Sequence, residues 1–202
     1  MAETTTEQAA PESNGQPASR IEVTNPATGE SIASVPALSV ADVAGVVARA
    51  RAAQPAWEAL GFEGRGAILR RAQKWLLDNS DRVARTIVSE TGKAYEDALI
   101  AEVAYAAGAL GYWAKRAPKL LADEKIRTSS PLVLGRRLVV RYAPVGVVGV
   151  IGPWNYPLTN SFGDCIPALA AGNACVLKPA SLTPLTSLFI AEGLRECELP
   201  VD

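Results

Sequence analysis

The feature that most constrains the fold is an uninterrupted apolar run at residues 145–151, followed by a loop rich in glycine and proline. The run does not alternate apolar and polar residues, which is typical of a strand covered on both faces in a parallel sheet. Residues 158–170 then predict a helix, residues 174–178 a second buried strand, and residues 184–197 a second helix. This order of elements predicts an α/β fold that contains two consecutive strand–helix units.

A hairpin is predicted upstream of these units. Residues 21–35 alternate apolar and polar side chains on both sides of a turn that contains Asn25, Pro26 and Gly29. Alternation indicates half-buried strands, and these three residue types favour the turn between them. Two short strands are therefore expected to open the fold.

Four helices are predicted after the hairpin, at residues 39–57, 63–78, 80–88 and 94–115. Ser39 and Asp42 resemble a capping box for the first helix, Asn79 is expected to cap the third, and Gly92 to stop it. The first helix carries apolar residues at helical spacing: Val43, Val46, Val47 and Ala50. The fourth carries a continuous apolar stripe that predicts a core face: Leu99, Val103, Ala106, Leu110 and Trp113.

The chain divides into four segments. Residues 1–20 predict a disordered tail, because large apolar side chains are missing after Met1. Residues 21–130 hold the hairpin and the four helices. Residues 131–142 are rich in β-forming residues, and they predict a hairpin ribbon with one solvent-exposed face, which could lie at a subunit contact. Residues 143–202 form the parallel sheet, which looks truncated, because two strand–helix units leave an unpaired edge strand.

Composition excludes several classes of function. The chain contains no histidine, so these residues alone form no Ser-His-Asp triad, Cys-His dyad or His-ligated zinc site. The net charge of −1 argues against a nucleic-acid partner. The odd number of cysteines favours a reducing compartment. No apolar run approaches the roughly 20 residues of a membrane span, so we expect a cytoplasmic protein without a membrane partner.

Polar side chains follow both predicted parallel strands, where open α/β sheets bind ligands. After the first strand, Asn155 lies in a loop held by Gly152 and two prolines, so its amide can face a developing oxyanion. The alternative is that Asn155 caps the following helix. After the second strand, Lys178 and Ser181 suit a ribose or a phosphate, although Lys178 alone fits a solvated strand end equally well. The two loops together favour a ligand site.

Other features are interpreted as structural. Gly146 and Gly149 lie inside the strand rather than in a turn that opens a helix, so they do not form a dinucleotide fingerprint. Residues 90–93 predict a helix end with solvated charges rather than a carboxylate site. Cys165 and Cys175 lie in apolar surroundings and predict small buried residues rather than nucleophiles. No metal site is expected.

Five segments resemble the NAD(P)-dependent aldehyde dehydrogenase superfamily: NPATGE at 25–30, ETGK at 90–93, PVGVVGVIGPWNYPL at 144–158, PALAAGN at 167–173 and KPAS at 178–181. They occur in family order, and the resemblance covers residues 21–202. Within the superfamily the sequence resembles most the semialdehyde and aromatic or aliphatic aldehyde oxidisers, and succinate-semialdehyde dehydrogenase is our single best guess. The resemblance implies the N-terminal part of the family fold, in which the hairpin and helices precede the first two β-α units of a Rossmann-like parallel sheet.

The resemblance also implies roles for individual residues. Asn155 would supply the oxyanion-hole amide, and Trp154 with Asn155 would line the nicotinamide end of NAD or NADP. Lys178 and Ser181 would contact the adenosine ribose. The other residues predicted to contact the cofactor are Ile151, Pro179 and Ala180. Family members that prefer NAD often carry Glu where Ser181 stands, and a carboxylate there would repel a 2′-phosphate, so Ser181 leaves NADP open.

The family's catalytic cysteine and general-base glutamate would lie beyond residue 202, so this chain alone is expected to be inactive. The implied function is that of a fragment of an enzyme that oxidises an aldehyde, such as succinate semialdehyde, to a carboxylate with NAD(P)+. The full-length form would be a homo-oligomer. The alternative is a non-catalytic truncated subunit that binds full-length chains through residues 131–142. A relative that acts on acyl-CoA or acyl-phosphate substrates is a third reading, but Trp154 and Asn155 favour free aldehydes.

Overall fold

The computed structural model describes residues 19–127 and 135–200. Its elements, in chain order, are β1 (Arg20–Thr24), β2 (Ser31–Pro36), α1 (Val40–Ala59), α2 (Gly61–Asp78), α3 (Ser80–Thr91), α4 (Tyr95–Asp97), a π-helical segment (Ala98–Ala104), α5 (Tyr105–Leu120), β3 (Glu124–Ile126), β4 (Leu138–Val140), β5 (Val147–Ile151), a second π-helical segment (Leu158–Phe162), α6 (Gly163–Ala170), β6 (Ala174–Lys178) and α7 (Leu185–Glu196). The predicted tail falls outside the described residues as far as residue 18, and Arg20 already belongs to β1.

The predicted hairpin is confirmed. Strands β1 and β2 pair antiparallel, with Ile21 opposite Val35. At the turn, the side-chain oxygen of Asn25 accepts the N–H of Ala27 at 2.9 Å, and Gly29 adopts a φ of +75°. That φ lies in the left-handed region, which glycine enters without steric cost.

Helix α1 begins as predicted, but fewer of its apolar side chains are buried than predicted. The N–H of Ser39 donates to the carboxylate of Asp42 at 2.8 Å, as a capping box requires. The expected apolar face is not a core face, because Val43 is exposed and the other three predicted positions are half-buried. Trp57 is the buried residue of this helix, and its indole N–H donates to the carbonyl of Leu169 at 2.9 Å.

The core lies between α2, α3, α5 and α6. Its large, fully buried side chains include Leu69, Leu76, Ile87, Leu110 and Ile166. Helix α3 ends as predicted at Gly92, which adopts a φ of +72°. The side chain of Asn79 does not cap α3. Its amide donates instead to the carbonyl of Trp75 at 2.9 Å, so it closes the end of α2.

The predicted fourth helix is interrupted by the π-helical segment Ala98–Ala104. A π turn holds more residues than an α turn, so positions before it rotate relative to positions after it. Val103, Ala106 and Leu110 are buried as expected, whereas Leu99 and Trp113 are half-buried. Glu102, on the π segment, is completely buried, which the apolar stripe did not predict.

Strands β5 and β6 form the predicted parallel pair, joined through α6. The prediction that both faces of β5 are covered is wrong, because Val150 is buried whereas Gly149 and Ile151 are exposed. In the described residues, one face of this strand packs on the core and the other remains open, so its burial alternates. The α/β architecture with two β-α units is confirmed.

The predicted ribbon has a different partner from the one expected. Strand β4 pairs antiparallel with β3, with Ile126 opposite Leu138, and β3 precedes the segment in which the hairpin was predicted. Residues 131–134 of that segment lie outside the described residues. The prediction of one solvent-exposed face is wrong, because β3 and β4 are almost wholly exposed. The two strands pair with each other, and no described element covers them.

None of the helices in residues 19–127 and 135–200 combines the length and apolar character needed to cross a bilayer.

Candidate functional site

Strands β5 and β6 end next to each other at their carboxyl ends, and a loop follows each of them. Ile151 is paired with Lys178 at the last position of the parallel register. The N–H of Gly152 then donates to the carbonyl of Lys178 at 2.9 Å, which extends the ladder by one bond. Because both strands end at the same edge, the loops that carry Asn155 and Ser181 begin next to each other.

The loop after β6 presents polar groups to solvent. Lys178 is exposed, and its ammonium donates to the carbonyl of Pro179 at 3.1 Å. The N–H of Thr183 donates to the carbonyl of Ala180 at 3.1 Å, which closes a turn with exposed Ser181 inside it. Pro179 and Ala180 are half-buried and fix the loop against the body of the protein.

The loop after β5 brings Trp154 to a cavity of about 270 Å³. The other walls of this cavity come from Glu22 and Thr24 of β1, from Glu90, and from residues 182–183, directly after Ser181. The structure therefore brings Trp154 and the end of the second predicted loop to one concave surface. Trp154 is 58% exposed, and Asn155 is also exposed.

Asn155 does not cap the following helix. The cap position before Leu158 is Pro157, and no side chain of that residue completes the cap. The carboxylate of Glu102 takes this role, accepting the N–H of Leu158 at 2.8 Å and that of Thr159 at 3.4 Å. Because Glu102 caps this helix, the alternative in which the side chain of Asn155 serves as the cap does not hold.

Lys93 holds the same loop from its other side. Its ammonium donates to Glu102 at 2.6 Å and to the backbone carbonyl of Asn155 at 2.8 Å. Solvated charges were predicted for residues 90–93, and this prediction is wrong. Lys93 is 12% exposed and Glu90 is 3% exposed, because segments distant in sequence fold over both side chains.

Glu90 fixes the start of α7. Its carboxylate accepts the N–H of Leu185 at 2.7 Å, the N–H of Thr186 at 3.0 Å and the Thr186 hydroxyl. A carboxylate at a helix N-terminus is stabilised by the helix dipole. Burial nevertheless raises the pKa of the Glu90 carboxyl above its ordinary value, since desolvation outweighs these hydrogen bonds.

The three cysteines differ in how far their surroundings favour the thiolate. Cys165 and Cys197 are buried, and Cys175 is half-buried. The hydrogen bond between Cys175 and Cys165 lowers the pKa of the half-buried Cys175 thiol. The same bond together with burial raises the pKa of the Cys165 thiol, and burial raises that of Cys197. A raised pKa leaves little thiolate, which is the nucleophilic form.

Glu102 was missed by the sequence analysis, which treated its helix as an apolar stripe. The available signal was an acidic residue in the apolar part of that helix, next to Val103, because Glu102 is the one acidic side chain between residues 98 and 115. The capping role of Glu102 emerges from contacts with residues 158–159, more than fifty positions along the chain.

Comparison with known proteins settles the family. The model of the aldehyde dehydrogenase family matches residues 13–202, which is nearly the whole chain. The chain belongs to the aldehyde dehydrogenase family. The resemblance carried by the five sequence segments is thereby confirmed, and so is the assignment of the α/β fold to the N-terminal part of this family's fold.

Two curated relatives carry semialdehyde dehydrogenase names. The chain is 42% identical over 175 residues to the "putative succinate-semialdehyde dehydrogenase" of Mycolicibacterium smegmatis, whose name gives NADP(+), covering 87% of this chain and 33% of the relative. It is 40% identical over 187 residues to a glutarate-semialdehyde dehydrogenase of Pseudomonas putida, covering 93% of this chain and 37% of the relative. The aldehyde dehydrogenase chain described here thus spans about a third of the length of these relatives.

Solved structures agree with the fold. An NADP-dependent enzyme of Escherichia coli superposes with a TM-score of 0.84 at 35% identity, over 91% of this chain and 37% of that one. PnpE of a Pseudomonas species, crystallised with nicotinamide adenine dinucleotide, superposes with a TM-score of 0.83 at 34% identity, over the same shares of the two chains.

Proposed function

We propose that this chain forms the N-terminal part of an aldehyde dehydrogenase that oxidises a semialdehyde to a carboxylate with NAD or NADP. The observation that supports this most directly is the position of Asn155. It is exposed in a rigid loop at the end of a parallel strand, and Glu102 rather than Asn155 caps the next helix. The side-chain amide is therefore available to a substrate.

Asn155 is proposed to donate a hydrogen bond to the aldehyde oxygen as negative charge develops on it. A preorganised donor of this kind is worth about 3 kcal/mol of transition-state stabilisation. Pro153 and Pro157 restrict the backbone around it, because the ring of each fixes its φ angle. The loop therefore does not have to reorganise during the reaction.

The donor set after β6 fits a dinucleotide. Lys178 offers an exposed cation and Ser181 an exposed hydroxyl, next to the strand end that carries Ile151. We propose that Lys178 and Ser181 hold the adenosine ribose, with Pro179 and Ala180 shaping the loop, and that Ile151 and Trp154 lie at the nicotinamide end. A nicotinamide cofactor held by these residues would supply the hydride acceptor for the oxidation. The absence of a carboxylate at residue 181 leaves room for a 2′-phosphate.

We propose further that the segment 131–142 takes part in assembly of the full-length protein into a homo-oligomer. The support is the exposure of β3 and β4, whose large apolar side chains include Ile126, Leu138 and Val140, at 36–47% exposure. Exposed apolar residues on a two-stranded ribbon are stabilised when another chain covers them.

A chimaera tests the proposed function. The chain would replace the aligned third of the Mycolicibacterium smegmatis relative, and reduction of NAD+ and NADP+ would be followed with succinate and glutarate semialdehydes. We expect aldehyde-dependent reduction by the chimaera and none by the chain alone, in which we assign no cysteine as the catalytic nucleophile. A chimaera that folds and assembles like the parent enzyme but reduces neither cofactor would contradict the proposal.

A further inference from the structure

Lys93 connects the end of α3 to the loop that carries Asn155. Its ammonium lies 2.6 Å from Oε1 of Glu102, 2.8 Å from the backbone carbonyl of Asn155 and 3.7 Å from the centroid of the Tyr156 ring. A second carboxylate, that of Asp97, lies 3.5 Å away. Because 12% of the side chain is exposed, these contacts take the place of water around the charge.

Glu102 holds the other end of the loop. Its side chain is completely buried, and both carboxylate oxygens are used. Oε1 pairs with Lys93, and Oε2 accepts the N–H of Leu158, the first residue of the helical stretch that continues into α6. The hydroxyl of Thr159 adds a second tie by donating to the carbonyl of Ala101 at 2.7 Å.

The two residues fix the backbone on both sides of the Asn155 side chain. Lys93 orients the peptide carbonyl of Asn155, and Glu102 orients the amide of Leu158 three residues later. A buried ion pair adds little net stability over a pair of apolar residues of the same size. Placement of a catalytic group, by contrast, has to hold within about 1 Å, so a rigid frame around Asn155 has a direct use in catalysis.

We propose that Lys93 and Glu102 are positioning residues that hold the Asn155 loop where its side-chain amide meets the aldehyde oxygen. This inference rests on the oxyanion role proposed above for Asn155. Both residues act through the backbone of residues 155–158 and do not touch the aldehyde.

The first arm of the test uses the 202-residue chain. Amide hydrogen exchange of Leu158 would be compared between the parent, Lys93→Met, Lys93→Arg and Glu102→Gln, with Leu69 in the core as a reference amide. We expect Lys93→Met and Glu102→Gln to speed exchange at Leu158 by about tenfold or more, as loss of a charge-assisted hydrogen bond predicts. Lys93→Arg keeps the charge and is expected to restore most of the protection.

The second arm uses the chimaera. Lys93→Met is expected to lower kcat by about tenfold or more with the KM for the aldehyde unchanged, because a misplaced donor loses contacts made in the transition state. Lys93→Arg should recover most of kcat. The matched control is Lys74→Met, which removes an exposed lysine paired with Asp78 at 2.6 Å and should change neither readout.

Several results would overturn the positioning role. These are unchanged exchange at Leu158, exchange that rises equally at Leu69, a Lys93→Met chimaera with parental kcat, or Lys93→Arg as impaired as Lys93→Met. Failure of the proposed function looks different, because a folded chimaera would then be inactive even with Lys93 in place. In that event the exchange arm alone decides whether the pair holds the loop.

Discussion

Gly152 lies directly against Ser161, whose hydroxyl occupies the space that a β-carbon on residue 152 would need. Ser161 is completely buried on the helical stretch that follows the loop, and its own β-carbon also lies too close to that position for rotation of the hydroxyl alone to relieve the contact. The contact joins the end of β5 to the start of the next helix and sets the path of the loop that carries Trp154 and Asn155.

Gly152→Ala is expected to lower the free energy of unfolding by about 1–3 kcal/mol, the usual cost of overpacking a close contact. The measurement is urea unfolding followed by circular dichroism. Gly149→Ala is the matched control, because a β-carbon there meets no atom within 4 Å. Equal stabilities of the two variants would show that the Gly152–Ser161 contact does not constrain the loop.

A pH-dependent contribution to stability is expected from Glu90. Burial raises the pKa of its carboxyl above the ordinary 4.5, so the folded chain keeps the proton to a higher pH than the unfolded chain does. Between these two pKa values the folded state binds more protons, and its free energy of unfolding falls as the pH rises. The contribution is fully present below pH 4.5 and is lost as the pH passes through the raised pKa.

Glu90→Gln removes this titration and keeps the shape of the side chain. Its free energy of unfolding is expected to fall less than that of the parent as the pH rises from 4.5 to neutrality, measured by urea unfolding at a series of pH values. Exposed Glu63, changed to Gln, is the control and should leave the parental slope unchanged. Parallel pH profiles for the parent and Glu90→Gln would refute the prediction.

Cofactor preference is expected to depend on residue 181. In the chimaera, Ser181→Glu places a carboxylate beside the ribose, where it repels a 2′-phosphate. We expect the ratio of kcat/KM for NADP+ to that for NAD+ to fall by about tenfold. A change of this size is expected from the repulsion between two like charges at a partly exposed site. Ser181→Ala adds no charge and should change the ratio little. An unchanged ratio in Ser181→Glu would place the ribose elsewhere.

The local elements were largely predictable from the sequence, because turn residues and hydrophobic periodicity act over a few positions. The hairpin around Asn25, the stop at Gly92 and the β5-α6-β6 unit follow from such signals. The burial of Glu90 and Glu102 did not, since both carboxylates cap helical segments that begin more than fifty residues later and no local pattern encodes those contacts. The partner of β4 was also missed, because the sequence reading placed both strands of the ribbon within residues 131–142, whereas β3 lies before that segment.

Self-association of the 202-residue chain is expected. Within the described residues β6 pairs with β5 alone, and an apolar groove of about 440 Å³ runs along β6, α1 and α7. Unpaired strand edges and apolar grooves promote contact between chains. Light scattering coupled to size-exclusion chromatography measures the effect.

Leu188→Lys tests whether the groove is responsible. Leu188 lines the groove and is 52% exposed, whereas the control Leu77, on α2, is 53% exposed and lies outside it. Lysine at residue 188 should reduce association, and lysine at residue 77 should not. A parent chain that stays monomeric at every concentration would contradict the prediction.

The most direct test of the account is the turnover of the chimaera with Asn155→Ala. Removal of one oxyanion donor is expected to lower kcat by about 10²–10³-fold, with the KM for the aldehyde little changed and the fold intact by circular dichroism. A chimaera that keeps the parental kcat with alanine at residue 155 would contradict the central claim that this loop stabilises the oxyanion.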